Sequence, residues 1–154
     1  MLRRRSARLL IVDREHRVLL FRFAFRQGAL AGQDFWATPG GAVEAGETFE
    51  LAATRELSEE TGIVVDHAGD NVGESEFILQ LPSGEDVLAQ ERYFLIRAED
   101  SVLSRDGWTA EEAEVIVDHR WWTLEELAAT TGTAWPANLV EMVEDALRGT
   151  RKAQ

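Results

Sequence analysis

A chain of 154 residues falls near the commonest size of one domain, and 45% apolar with 29% charged residues is an ordinary globular composition. Sixteen basic against 28 acidic residues leave a net charge of −12, which excludes a general nucleic-acid binder working through a basic surface. The absence of cysteine removes disulfides, thiol nucleophiles, iron–sulfur clusters and Cys-ligated zinc in one step, and fits a cytoplasmic setting.

His16, His67 and His119 are scattered, with no His-Glu-x-x-His pattern and no Ser/His/Asp grouping, so each reads as a surface or strand-end residue. Apolar runs such as Leu9 to Val12 and Val18 to Phe21 are too short to span a bilayer, and no membrane association is expected. Arg3 to Arg5 resembles the charged start of a signal peptide. Asp13, Arg14 and Glu15 break the chain before a hydrophobic region of sufficient length develops, so a solvated N-terminal tail leading into a strand is the better reading.

Ala7 to Val12 and Arg17 to Phe23 are rich in branched residues and read as two strands joined by a tight turn at Asp13 to His16. Gln27 to Asp34 is a loop, and Phe35 to Thr38 a short strand halted by Pro39-Gly40-Gly41. Thr48 to Thr61 is helical: Thr48 caps the start, Glu50 suits the positive first turn, and Gly62 closes the end. Val72 to Leu81 and Val87 to Arg97 flank Pro82-Ser83-Gly84-Glu85 as a hairpin, and Val115 to Trp122 is a further strand. Thr123 to Glu126 carries a capping box for a short helix. Trp135-Pro136 opens a last helix with Leu139, Met142, Val143, Ala146 and Leu147 on one stripe. Strands and helices without strict alternation predict an α/β (α+β) fold: one domain over 1–154, a mixed β-sheet sandwiched between helices.

Six glutamates crowd the stretch from Gly40 to Val64: Glu44, Glu47, Glu50, Glu56, Glu59 and Glu60. A solvated acidic helix is the plain explanation of such a run. Against it, Glu56, Glu59 and Glu60 stand at i, i+3 and i+4, where they share a strip of helix and repel by roughly 0.2–0.5 kcal/mol per pair. A hard divalent cation such as Mg²⁺ or Mn²⁺ relieves that repulsion, because it prefers carboxylate oxygens. Arg55, four residues before Glu59, can orient one carboxylate, while Ala52 and Ala53 leave space beside the strip or serve helix propensity alone. The Gly40-Gly41 pair lets the backbone bend close enough for a carbonyl to join a metal shell.

Gly41, five residues, Glu47, seven residues, then Arg55-Glu56-Leu57-Ser58-Glu59-Glu60-Thr61-Gly62-Ile63 resembles the Nudix box of the MutT-like Nudix hydrolases, with every fixed position filled. Trp36 to Gly41 before the box, and Arg120-Trp121-Trp122 followed by Leu124 to Leu127 after it, resemble the same family. The resemblance therefore covers essentially the whole domain. It implies metal-dependent hydrolysis of a pyrophosphate bond in a nucleoside diphosphate linked to another moiety, with Mg²⁺ or Mn²⁺ as cofactor. It also implies Glu56, Glu59, Glu60 and the Gly41 carbonyl as metal ligands, and Arg55 and Glu47 as the residues that orient them. The expected partner is a small nucleotide or nucleoside diphosphate derivative; a homodimer is left open.

Two other readings compete: a Nudix-like ligand-sensing module without catalysis, which sits poorly with a complete acidic box, and a same-fold isomerase, whose chemistry employs a cysteine this chain lacks. Substrate signals are sparse. Arg22 and Arg26 are candidates to face phosphates, and Phe23, Phe25, Trp108 and Trp135 to stack on a base, beside core or surface roles for each; Trp36, Trp121 and Trp122 read as structural. For the general base, the resemblance implies a further glutamate outside the box, and the acidic cluster Glu111, Glu112 and Glu114 is the candidate. Glu112 leads that group, with a glutamate of the box as the remaining alternative, although Thr109-Ala110-Glu111-Glu112 is equally a capping box.

Overall fold

The computed structural model describes residues 1–98 and 103–152, with side chains to residue 149. The chain runs β1 (Arg3–Val12), β2 (Val18–Ala24), β3 (Asp34–Ala37), β4 (Gly40–Ala42) and α1 (Phe49–Thr61). It continues through β5 (Asn71–Gln80), β6 (Asp86–Arg97), α2 (Ala110–Val115), β7 (Ile116–Trp122), α3 (Leu124–Ala129), β8 (Ala134–Trp135) and α4 (Leu139–Lys152).

One mixed sheet is ordered β5-β6-β1-β2-β3-β8, with β4 pairing β1 and β7 pairing β2. β1 and β6 run parallel in register from Arg3↔Leu88 to Val12↔Arg97. The other edge of β1 is shared: β4 holds Ser6, Ala7 and Arg8 through Ala42, Gly41 and Gly40, and β2 takes over at Val12↔Val18. That fork is possible because Gly40 lies against β1 more closely than a side chain allows: a Cβ there would sit 2.2 Å from the Ala7 carbonyl oxygen, at a φ of 142°. The fork brings the glycine pair under α1.

Alternation along β1 splits the core in two. Ala7, Leu9 and Ile11 pack with Leu19, Phe21, Phe94, Ile96 and the Phe49, Ala52, Ala53 and Leu57 stripe of α1. Leu10 and Val12 pack on the opposite face with Val18, Leu20, Tyr93, Leu95, Trp122 and the predicted α4 stripe Leu139, Met142, Val143, Ala146 and Leu147. Helices thus cover both faces, as expected. Ala52 and Ala53 are fully buried, so their small side chains serve the close approach of α1 to the sheet rather than room beside the acidic strip.

Four expectations need correction. Arg3 to Arg5 form the start of β1, because the long parallel partner β6 supplies backbone hydrogen bonds to that end. Gly40 and Gly41 do not merely halt a strand; they make β4. Val115 closes α2, whose capping box is formed in full, instead of opening β7. α4 begins at Leu139, since Trp135 pairs through β8 with Ala37 and the helix starts only after Pro136. All three histidines are exposed. Among the described residues no helix is long and apolar enough to cross a membrane.

Candidate metal centre

α1 is closed at both ends as its sequence requires. Thr48 accepts the Leu51 N–H at 3.1 Å, and Gly62 takes the left-handed conformation, φ 81°, with its N–H on the Ser58 carbonyl. Between those caps the acidic strip meets two different surroundings.

On the outer side stands Arg55, whose guanidinium makes five hydrogen bonds. Nε donates to Glu47 Oε2 at 2.8 Å, Nη1 to Glu56 Oε1 at 2.9 Å and Glu59 Oε2 at 3.1 Å, and Nη2 to Glu47 Oε1 and the Ala42 carbonyl, both at 2.9 Å. The Glu44 backbone N–H adds a bond to Glu47 at 2.8 Å. Arg55 and that N–H hold the Glu47 carboxyl down to about 2, and the bonds from Glu47 and Glu56 raise Arg55 despite partial burial. Glu47 and Arg55 therefore fasten the loop after β4 to α1, and Arg55 fixes the Glu56 and Glu59 carboxylates.

On the inner side Glu56 and Glu60 are buried. Glu56 lies directly over Gly41, where a Cβ would come within 2.4 Å of its Oε1; only glycine leaves the room. Burial raises the Glu56 carboxyl, and burial together with Glu112 pushes Glu60 up to about 10. Glu60 Oε2 is shut off from solvent and no donor reaches it. Carboxylate ligand atoms of Glu56, Glu60 and Glu112 all lie within 4.8 Å of one another. Burial would raise Glu112 too, but a hydrogen bond shared with Glu60 and the Thr109 N–H hold it below its ordinary range.

Glu112 reaches this cluster from 52 positions beyond Glu60 because the segment before α2 docks on the end of α1. Ser104 N–H donates to the Thr61 carbonyl at 2.8 Å, Gly107 packs on the Glu59 backbone, where a Cβ would stand 2.6 Å from the carbonyl oxygen, and Trp108 Nε1 donates to the Glu60 carbonyl at 2.8 Å. Thr109 then caps α2, with its N–H on Glu112 Oε1 at 2.9 Å. The capping and site roles of Glu112 are thus compatible. Gly107 and Trp108 are the docking residues that sequence reasoning missed; their one local signal is their place just ahead of the Thr109 capping box.

The structure gathers Glu56, Glu60 and Glu112, with Gly41 beneath. Glu59 stands outside that trio, its side chain 46% exposed and held by Arg55. Glu111 and Glu114 are exposed on α2. Trp108 is not a stacking surface: besides its bond to Glu60, its ring meets Phe21 edge-on at 5.7 Å. Arg22 has its fork on Asp34 at 2.6 and 2.8 Å, and Phe23 and Phe25 both stack on Phe35; Arg26 and Trp135 are exposed. Trp36 and Trp122 meet edge-on at 5.3 Å and Trp121 packs against the α1-side core, as structural residues do.

The donor set fits a hard divalent cation: three converging carboxylates, one buried oxygen with no donor, and no nitrogen or sulfur ligand among them. Residues 2–143 match the NUDIX domain family. A MutT protein from Methanosarcina mazei Go1 is 26% identical, with a TM-score of 0.65 over 97% of this chain and 96% of that one. The E. coli dihydroneopterin triphosphate pyrophosphohydrolase shares the fold at 20% identity, TM-score 0.67, over 97% and 99% of the two chains. So does the NUDIX domain of Shewanella oneidensis NrtR complexed with ADP ribose, at 14% identity, TM-score 0.64, over 97% and 90%. No curated protein matches the chain at a significant level. With residues 2–143 matching the family and two box carboxylates, Glu56 and Glu60, gathered with Glu112, this chain belongs to the NUDIX family of hydrolases.

Proposed function

We propose that the protein is a metal-dependent Nudix pyrophosphohydrolase, cleaving a phosphoric anhydride in a nucleoside diphosphate linked to another moiety, such as a nucleoside triphosphate. The observation that carries this is the convergence of Glu56, Glu60 and Glu112 within 4.8 Å, with a buried Glu60 oxygen that no donor satisfies. Glu56 and Glu60 would hold the cation, with Glu59 adding a carboxylate from the exposed side, Glu112 facing the same space and the Gly41 carbonyl on the strand beneath. Mg²⁺ or Mn²⁺ held there would supply charge to neutralise phosphate oxygens and to acidify water at the site.

The chain's own residues supply the rest. Arg55 and Glu47 keep Glu56 and Glu59 aimed, with every guanidinium N–H occupied. Glu112, tied through Oε1 to the Thr109 N–H and held below its ordinary pKa, is ionised at neutral pH and is the group to take a proton from the attacking water.

The test is a panel of nucleoside triphosphates, dinucleotides and nucleotide sugars, read as phosphate or pyrophosphate release with Mg²⁺ or Mn²⁺ and with chelator. Cation-dependent release from at least one, lost in Glu112→Gln with the melting response to Mg²⁺ largely retained, is expected. Tight nucleotide binding without turnover of any substrate would instead mark a ligand-sensing module.

A further inference from the structure

Arg55 bonds the carboxylate cluster directly while Arg4 and Arg8 act on its charge from β1, and the three differ in how many donors are already taken. A guanidinium carries five N–H groups. Arg55 has none left. Arg8 uses one, from Nε to Glu91 Oε2 at 2.8 Å, while Glu91 Oε1 accepts the Tyr93 hydroxyl at 3.3 Å. Arg4 uses one, from Nη1 to Ser6 Oγ at 3.0 Å. Among the described residues neither guanidinium makes another hydrogen bond.

Arg4, Ser6 and Arg8 share the face of β1 that continues into Leu10 and Val12. The apolar cluster under α4 takes in Leu10, Val12, Tyr93 and Leu95 and stops there; beyond it the same face is charged, with Glu91 beside Arg8. Arg8 and Glu91 have side chains only 19% and 6% exposed. A buried ion pair is seldom more stable than apolar residues of the same volume, so stability gives this pair no advantage over the leucine and valine farther along the face.

The two arginines lie on the face of β1 opposite the α1 core, and at Arg8 that strand pairs with β4 beside the site. Arg8 is registered on Gly40, one residue from the Gly41 over which the Glu56 carboxyl lies. Arg8 and Glu60 act on each other's charge, as do Arg4 and Glu56. Burial and the neighbouring Arg8 lower Arg4, whereas Glu91 more than reverses the effect of burial on Arg8. A polyphosphate approaching a −12 chain and a carboxylate cluster needs cations with open donors, and guanidinium forks match phosphate oxygens in pairs.

Resting on the hydrolase reading, we propose that Arg4 and Arg8 form an anion grip for this site, binding oxygens of the substrate's phosphate chain. Glu91 and Tyr93 position the Arg8 fork, and Ser6 steers Arg4. The donors left open on the two side chains point to a substrate with an extended, multiply charged phosphate chain in preference to one with a neutral second moiety.

Binding of inorganic tripolyphosphate and of an α,β-methylene nucleoside triphosphate, measured by calorimetry with Mg²⁺ at low and high salt, tests this. Arg4→Gln and the double variant Arg8→Met/Glu91→Leu should each weaken both probes by about tenfold or more and flatten the salt dependence, with KM raised more than kcat is lowered. The double variant leaves no lone buried carboxylate, and its thermal melt checks folding; Arg8→Lys, which keeps charge without the fork, should fall between. Undiminished binding of both probes in Arg4→Gln and the double variant overturns the grip and leaves the hydrolase reading standing. A wild type that hydrolyses no nucleotide yet binds tripolyphosphate through these arginines does the reverse. A wild type that binds neither probe overturns the grip.

Discussion

Along α1 the outer half of the site, Glu47, Arg55 and Glu59, is a closed set of charges, with one guanidinium's five donors all engaged. The inner half, Glu56, Glu60 and Glu112, brings three carboxylates together with Arg55 on the edge of Glu56 and no donor on Glu60 Oε2. Glu59 and Glu60 are sequence neighbours, yet 100° of helix rotation sets one half-exposed on Arg55 and the other in the interior. An arrangement made for stability alone would not leave the inner half open, since an unpaired buried acceptor costs its full desolvation. The outer half reads as scaffold and the inner half as a place for something positive.

The sharpest way to break this contrast is Glu60→Gln. Turnover should fall by about a hundredfold or more, as for lost metal support, and the rise in melting temperature on adding Mg²⁺ should shrink. Glu59→Gln should lose less of that thermal response. Equal responses to Mg²⁺ in both variants would erase the distinction between the halves.

Arg55→Lys attacks the scaffold side. An ammonium offers three donors in place of a fixed fork of five, so Glu47 or the Ala42 carbonyl loses its partner, at a cost of about 1–3 kcal/mol. Urea unfolding without metal measures it, and an unchanged midpoint would show that the outer network is ornamental.

The halves should also differ in pH dependence without metal. The Glu60 carboxyl, raised to about 10 in the fold, stabilises in its protonated form; that contribution is complete below the unfolded value near 4.5 and is lost as pH rises toward 10. Glu47, lowered to about 2, contributes above the unfolded value and loses that contribution as pH falls from about 4.5 to 2. Melting curves from pH 3 to 9 should therefore show Glu60→Gln flattening the alkaline side and Glu47→Gln the acid side. Matching profiles for the two variants would contradict the difference in burial.

The smallest effect concerns the helix that carries both halves: Thr48→Ala should cost about 1 kcal/mol through loss of the bond to the Leu51 N–H, read as a shift in urea midpoint. A shift larger than that of Arg55→Lys would place the cap, not the guanidinium, at the centre of the scaffold.

What the sequence determined by itself is local. Helical spacing grouped Glu56, Glu59 and Glu60 on one strip of α1, Thr48 and Gly62 marked its ends, and the apolar stripe of α4 showed at its period, because each depends on contacts a few residues apart. Only the tertiary structure decided which carboxylate joins Glu56 and Glu60. Glu112 arrives because Gly107 and Trp108 dock the segment before α2 on the last turn of α1, a close approach of backbones that leaves no periodic trace. The extended start of β1 was equally invisible in Arg3-Arg4-Arg5, whose charges read as tail until β6 paired with them. Parallel pairing joins residues some 85 positions apart, and whether a charge is buried depends on what the other strand places beside it.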